Sequence, residues 1–323
     1  MNILMVNDRM ILTEVSAEVR LAVAEAAGPD AVVTVATNRD QAMAAAPEAE
    51  VILGSIDEEL FTAAPRLKWI QATSSGVDFM MYPALRDGVV ILTCEKGLVG
   101  SHLADHAMGL LLALTRQLAE AIRHGHGAWD KRLDYRQRAV ELEGMVMGIV
   151  GYGGTGRAIA RRAAGFGMII RAIDRDAVEG DDLVAAVGRL DSFDAMLSGS
   201  DVVAICAPLT AETDAMIDAG RFAAMKPGAL LLNVTRGELV DHSALVAALE
   251  SGHLGGAGLD VHHIEPLPAD DPLWRFPNVV MSPHTAGASQ LRAGRNLDRF
   301  KENLGRYRRG EPLIGLVDKT LGY

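Results

Sequence analysis

Val146-Met147-Gly148-Ile149-Val150-Gly151-Tyr152-Gly153-Gly154-Thr155-Gly156 is an apolar run that breaks into glycines at the spacing G-x-G-x-x-G. With 33 glycines in 323 residues, the spacing alone is a weak signal. Its surroundings strengthen it. The run before it has the β-branched, apolar make-up of a buried strand. After it, Ile159, Ala163 and Phe166 recur at helical spacing, and a second apolar run, 168–173, closes on Asp174. Strand, glycine turn, helix and strand in that order predict a dinucleotide-binding βαβ unit of the Rossmann kind. Gly151 permits the tight turn, Gly153 lets the backbone approach a pyrophosphate, and Gly156 lets the helix pack closely on the strand. The N–H groups at Gly154 and Thr155, at the positive end of the helix, face the phosphates. Asp174 follows Gly156 at close to the ~20 residues expected of the acid that binds the adenosine ribose. A carboxylate there accepts from a 2′-hydroxyl and repels a 2′-phosphate, so NAD is expected. The neighbouring Arg175 keeps NADP as the less favoured cofactor.

Outward from this turn, strands alternate with helices to residue 283. Apolar runs at 202–206, 229–233, 256–261 and 279–282 bring the second half to six strands. The first ninety residues alternate in the same way, with strands at 3–6, 32–35, 51–53, 67–71 and 89–92 and Ala-rich helices between them. Such alternation predicts parallel sheets covered on both faces, the first of them a small flavodoxin-like layer. Leu103, Ala107, Leu110, Leu111, Leu114, Leu118 and Ile122 form one continuous apolar helical stripe. A polar connector then runs to Gly144. It is either disordered or packed on a second subunit, and Trp129 within it favours packing. The last helix buries Ala293, Leu297, Phe300, Leu304 and Tyr307. Its basic face, Arg292, Arg295, Arg299, Lys301, Arg306, Arg308 and Arg309, reads as solvated.

The whole chain limits the function classes. A net charge of -11 repels nucleic acid, and half the residues are apolar, as in a soluble globular protein. No segment reaches the ~18 apolar residues of a membrane span, and the first residues lack the features of a secretory signal. A cytoplasmic protein is expected, without membrane or nucleic-acid partners. Cys94 and Cys206 read as buried, reduced thiols, and no metal site is expected.

Ligands of open α/β sheets gather at the carboxyl ends of the strands. The segments that follow the strands at 229–233, 256–261 and 279–282 carry Arg236, then His262, His263 and Glu265, then His284. Oxidation of a 2-hydroxy acid needs a base for the hydroxyl proton, and histidine titrates in the right range. It also needs a carboxylate to orient that base and a guanidinium to grip the substrate carboxylate. Arg236 and Glu265 fill the last two roles in type, while His262, His263 and His284 compete for the first.

The chain resembles the D-isomer-specific 2-hydroxyacid dehydrogenases. The matching stretches are Gly148–Gly156 with Asp174, Asn233–Asp241 (NVTRGELVD), Leu259–Pro268 (LDVHHIEPLP), Ser282–Gly287 (SPHTAG) and the ending from Asn303. Ala72–Asp78 (ATSSGVD) and Ala104–Arg116 (ADHAMGLLLALTR) match as well. The resemblance implies that Arg236 holds substrate, Glu265 supports the histidine and His284 is the acid–base. It also implies that Ser75 and Gly76 offer N–H groups to the substrate carboxylate. Thr235 and Asp260 would line the nicotinamide end, and Pro208 joins Gly151, Gly153, Gly154, Thr155, Gly156 and Asp174 in the cofactor site. The family is built as two α/β lobes. A Rossmann NAD-binding domain at 98–287 would be inserted in a flavodoxin-like substrate domain at 1–97 and 288–323. The long amphipathic helix would serve as crossover and dimer element, making a homodimer the expected assembly. The chain departs from the pattern at His262-His263, where an aromatic usually holds the first position, and at Asp105, where glutamate is commoner. An enzyme that interconverts a short 2-hydroxy acid and its 2-keto acid is therefore expected, glyoxylate or hydroxypyruvate before others. The alternatives are an NAD-sensing corepressor-like protein and a phosphoglycerate dehydrogenase. A formate dehydrogenase is set aside because Glu265 is present.

Overall fold

The computed structural model describes residues 1–7 and 14–323. They fall into two compact units, Met1–Val99 with Ala288–Tyr323, and Gly100–Gly287.

The first unit holds five parallel strands, β1 (Asn2–Val6), β2 (Val32–Ala36), β3 (Val51–Leu53), β4 (Trp69–Gln71) and β5 (Ile91–Thr93). Their order is β2-β1-β3-β4-β5, the flavodoxin-like winding. Strands β3 and β4 are buried at every residue, as continuous apolar runs covered on both faces should be. Helices begin at Ser16, Asn38 and Asp57, whose side chains each accept a backbone N–H of the first turn. The strand expected at 89–92 starts two residues late. Val89 is 98% exposed beyond the turn at Gly88, and pairing begins at Ile91.

The helix Arg292–Arg309 closes one face of this sheet. Its Phe300 and Tyr307 rings pack on Trp69 at centroid distances of 5.4 and 5.5 Å. Asn303, fully buried, donates to Gln71 Oε1 at 3.0 Å. The basic face is not uniformly solvated. Arg292 is largely buried and pairs with the fully buried Glu95, which also accepts from Asn296 Nδ2 at 2.8 Å. A buried carboxylate keeps its charge only with such partners, so Arg292 fastens the helix to the chain after β5.

The second unit holds β6 (Val146–Val150), β7 (Ile169–Ile173), β8 (Val202–Ile205), β9 (Ala229–Asn233), β10 (Leu254–Leu259) and β11 (Val279–Met281). All run parallel in the order β11-β10-β9-β8-β6-β7. A single parallel bridge, Ile173 to Gly188, adds the stub of a further strand beyond β7. With that stub the winding is that of a Rossmann sheet, and its order reverses between β6 and β8.

The helix Gly154–Gly165 follows β6 and packs against the helix Gly100–Thr115. Their contact is close at Gly100, where a Cβ would stand 2.6 Å from the Gly154 carbonyl oxygen. Arg162 Nε donates to Asp105 Oδ1 across the pair at 2.6 Å, so the aspartate at that position has a partner of its own.

The long amphipathic helix is not continuous. It stops at Thr115 and resumes at Leu118, with Gln117 at φ +60°. The connector, expected to be either disordered or packed on a second subunit, meets the chain at this break. It folds into the short helices Gly125–Trp129 and Arg132–Arg138 and returns to the break. There Arg138 donates to Gln117 Oε1 at 2.9 Å and the Val140 N–H to the Thr115 carbonyl at 2.8 Å. Trp129 is 74% exposed in this arm, so within the chain it does not pack. Of the two cysteines Cys94 is buried, whereas Cys206 is only partly so.

Candidate active site

The glycine turn lies where the order of the second sheet reverses. Gly151 has φ +94°, and a Cβ on it would stand 2.9 Å from the Cys206 carbonyl at the end of β8. A Cβ on Gly156 would stand 2.1 Å from the Gly151 carbonyl oxygen. Both positions need glycine for the protein's own packing. Gly153 does not. Its φ is -82°, and an added Cβ would meet no described atom within 4 Å. Gly153 is also the N-cap of the helix Gly154–Gly165, with no side chain closing that end. The first N–H groups of the helix, around Gly154 and Thr155, therefore have no side-chain acceptor there.

Asp174 ends β7 and turns back under the same loop. Its Oδ2 accepts the Tyr152 N–H at 2.8 Å and its Oδ1 the Asp176 N–H at 3.0 Å. The Tyr152 ring, wholly buried, donates its hydroxyl to Asp181, which also pairs with Arg157 at 2.7 Å. Burial and this carboxylate push the Tyr152 phenol up to about 12. Arg175 is engaged by Asp176 at 3.1 Å and lies 3.7 Å from Glu212.

Arg236, Glu265 and His284 follow three adjacent strands, β9, β10 and β11, so they leave the sheet on one side. The loop after β9 is fixed by Asn233, whose Oδ1 accepts the Thr235 N–H and whose Nδ2 donates to the Arg236 carbonyl at 2.7 Å. It then presses on the loop after β10. A Cβ at Gly237 would stand 2.0 Å from the His262 carbonyl carbon.

Glu265 Oε1 accepts the His262 N–H at 3.0 Å, and Oε2 meets His284 Nδ1 at 2.7 Å. Burial alone would push the Glu265 carboxyl up. Hydrogen bonds from His284 and His262 outweigh it and hold the group below the usual glutamate range. An ionised Glu265 can only accept, so Nδ1 of His284 carries the proton and Nε2 is the nitrogen left for a ligand. His284 is 46% exposed and holds φ +53°, rare for a residue with a Cβ. Its N–H donates to the Asp260 carbonyl at 2.8 Å, which keeps the backbone there.

The carboxylate of Asp260 supports that loop. It is fully buried and accepts from Ser282 Oγ at 2.6 Å, the Thr285 N–H at 2.9 Å and the Ala286 N–H at 2.8 Å. His106, from the helix Gly100–Thr115, lies 2.7 Å from Ser282 Oγ. The Ser282 proton points at Asp260, so His106 Nε2 is the donor to Ser282. Pro208 lies exposed beyond β8, its carbonyl accepting from Thr213 Oγ1 at 2.7 Å.

Residues 108–286 match the sequence profile of the D-isomer specific 2-hydroxyacid dehydrogenase NAD binding domain. The chain belongs to the D-isomer specific 2-hydroxyacid dehydrogenase family. It is 38% identical to a glyoxylate reductase of Korarchaeum cryptofilum over 72% of its own length and 70% of that protein. It is 37% identical to a glyoxylate/hydroxypyruvate reductase B of Citrobacter koseri over 69% of each chain. Among solved structures it resembles a D-isomer specific 2-hydroxyacid dehydrogenase family protein from Aeromonas salmonicida. That similarity has a TM-score of 0.81 at 30% identity and covers 98% of this chain and 99% of the other. As a 2-hydroxyacid dehydrogenase it is an NAD-dependent oxidoreductase that interconverts a 2-hydroxy acid and its 2-keto acid.

In this dehydrogenase Ser75 and Gly76 belong to the first unit, in the loop that follows β4. That loop is tied to the chain after β5 by the Glu95 N–H, which donates to the Ser74 carbonyl at 2.9 Å. Sequence reasoning placed Asp260 at the nicotinamide end and missed its work on the 282–286 loop. It gave no role to His106 or Ser282, although both stand in the stretches that carry the resemblance. A polar His106 inside an apolar helical stripe was the available signal. Of the side chains of His262, His263 and His284, only that of His284 meets the Glu265 carboxylate within hydrogen-bond distance.

Proposed function

We propose that this dehydrogenase reduces a short 2-keto acid, glyoxylate or hydroxypyruvate, with Arg236 as substrate clamp, His284 as acid–base and Glu265 as its support. The 2.7 Å contact between Glu265 Oε2 and His284 Nδ1 carries the reading, because it keeps one proton on Nδ1 and leaves Nε2 as the nitrogen that takes up and releases the catalytic proton. The bound nicotinamide supplies the hydride in reduction and accepts it in oxidation. In reduction His284 Nε2 gives its proton to the substrate oxygen, and in oxidation it takes the hydroxyl proton back. Glu265 stabilises the imidazolium on both legs. Arg236 pairs with the substrate carboxylate in the planar, two-pronged manner of a guanidinium. Ser75 and Gly76 offer backbone N–H groups for substrate binding, as the family resemblance implies.

The residues of the glycine turn fit a dinucleotide. Gly153 is required neither by its dihedrals nor by its neighbours, which suits a position kept bare for a pyrophosphate. Asp174 takes the adenosine ribose, with Pro208, Thr235 and Asp260 along the remainder of the cofactor. Arg175 is neutralised by Asp176 and Glu212, which supports NAD over NADP. By this reading 98–287 is the NAD-binding domain and 1–97 with 288–323 the substrate domain. Exposed Ile122, Trp129 and Leu133 on the arm after the long helix support a homodimer. Among the described residues no helix is long and apolar enough to cross a membrane, in keeping with a cytoplasmic enzyme.

The test is a panel of 2-keto acids with NADH and with NADPH, followed by nicotinamide absorbance. Glyoxylate or hydroxypyruvate should turn over fastest, and a phosphorylated hydroxypyruvate slowly, because 72–79 holds no lysine or arginine. Turnover of none of them would sink the reading. Asp174→Ala should narrow the preference for NADH over NADPH, and an unchanged preference would remove Asp174 from the ribose.

A further inference from the structure

His263 has no place in the chemistry above, yet its surroundings are specific. Its ring stacks on that of His242, centroids 3.7 Å apart and planes 27° from parallel. His242 opens the helix His242–Glu250, and its Nε2 lies 3.2 Å from Asp271 Oδ2. The Asp271 side chain is only 6% exposed. Its other oxygen accepts the Leu273 N–H at 2.9 Å and so leaves Oδ2 aimed at the histidines. Nδ1 of His263 is buried without a hydrogen-bond partner. One donor atom from each of the three residues lies within 4.8 Å of the other two.

We propose that His242, His263 and Asp271 bind one divalent transition-metal ion of the zinc class, against the expectation from sequence. Two imidazole nitrogens and a carboxylate oxygen form a ligand set that suits Zn²⁺ and Co²⁺ and is too rich in nitrogen for Mg²⁺ or Ca²⁺. The 3.2 Å between His242 Nε2 and Asp271 Oδ2 is close to the edge of a tetrahedron built on bonds of about 2.0–2.1 Å. The ring stack is tighter than a loaded site allows. Imidazoles sharing a tetrahedral ion have centroids about 5 Å apart, so loading must swing the two rings open. That motion gives the orphaned Nδ1 of His263 a partner and neutralises a buried carboxylate. Water completes the coordination. The ion joins the loop after β10, the start of the helix at His242 and the turn at Asp271. It therefore pins the loop that carries Glu265, two residues beyond His263.

The experiment uses the full chain, freed of metal by a chelator and titrated with Co²⁺ under visible absorbance, with Zn²⁺ as competitor. One equivalent should bind with the ligand-field bands of a low-coordinate Co²⁺ site, and the thermal midpoint should rise with occupancy. His242→Gln, His263→Gln and Asp271→Asn should each weaken binding by about 100-fold or more, the last while keeping the oxygen that caps Leu273. His284→Ala should bind as the wild type does. X-ray absorption on the Zn²⁺-loaded wild type, which needs no variant to fold, should show two imidazoles in the first coordination shell. The proposal is overturned if binding is unsaturable, if any one of the three variants keeps wild-type affinity, if His284→Ala loses it, or if fewer than two imidazoles are seen.

Discussion

Two histidine–carboxylate pairs stand near the carboxyl ends of the same sheet and use similar atoms to opposite ends. At Asp260 the carboxylate is 1% exposed, lies 3.3 Å from His106, and gives its lone pairs to Ser282, Thr285 and Ala286. At Glu265 it is 35% exposed and spends them on one backbone N–H and on His284, itself 46% exposed. A general base needs its ring within reach of substrate and its supporting charge not otherwise committed. In the first pair the carboxylate is committed to the fold through three donors of the 282–286 loop, and it cannot take a proton without loosening that loop. The second holds one ring nitrogen, Nδ1, and leaves Nε2 for a ligand. Burial makes Asp260 a fastener, and partial exposure suits Glu265 to the catalytic support proposed for it.

His284→Ala tests this division most severely. It should lower kcat for keto-acid reduction about 10³-fold, or about 4 kcal/mol, while a fluorescence titration finds NADH binding nearly unchanged. If His263→Ala has that effect and His284→Ala does not, the acid–base role proposed for His284 is wrong. Glu265→Gln should cost about 10²-fold in kcat, because the amide can hold the ring but cannot stabilise the imidazolium. Its urea midpoint at neutral pH should fall only slightly.

Asp260→Asn reverses the balance. The amide NH₂ must face a donor, leaving at least one buried N–H or hydroxyl unsatisfied, which costs about 1–3 kcal/mol in urea unfolding. A variant as stable as the wild type would end the fastener reading. The smallest effect lies in pH. Glu265 is held below the ordinary glutamate range, so its contribution to stability is fully present above about pH 5. It is lost as pH falls through the lowered folded value. The gap in thermal midpoint between the wild type and Glu265→Gln should hold constant above that pH and shrink below about pH 4. A gap independent of pH down to 3 would mean that Glu265 is not the group being titrated.

How much of this was legible in the sequence follows from how local each feature is. The strand, turn and helix at 146–165 lie within one short window, and their apolar periodicity survives in the fold. Arg236, Glu265 and His284 could be nominated because each follows a strand closely and strand ends share a rim, although strand position alone left His262 and His263 as rivals of His284. The His106–Ser282 link joins residues 176 positions apart, and no periodicity carries it. Arg292 looked like a surface cation because helical spacing does not reveal that Glu95 waits beneath it. The break at Gln117 was hidden for a related reason. The apolar stripe runs through it without a gap, and it is the returning connector at Arg138 and Val140 that stops the helix there.

The bare position at Gly153 has a practical corollary. Any screen that scores folding alone, by solubility or resistance to protease, should accept most small residues there and reject them at Gly151 and Gly156. Selection for growth on the enzyme's product should reject them at all three. Libraries passed through a stability filter first would therefore accumulate well-folded chains that have lost their cofactor, and Gly153 is where sequencing should look for them.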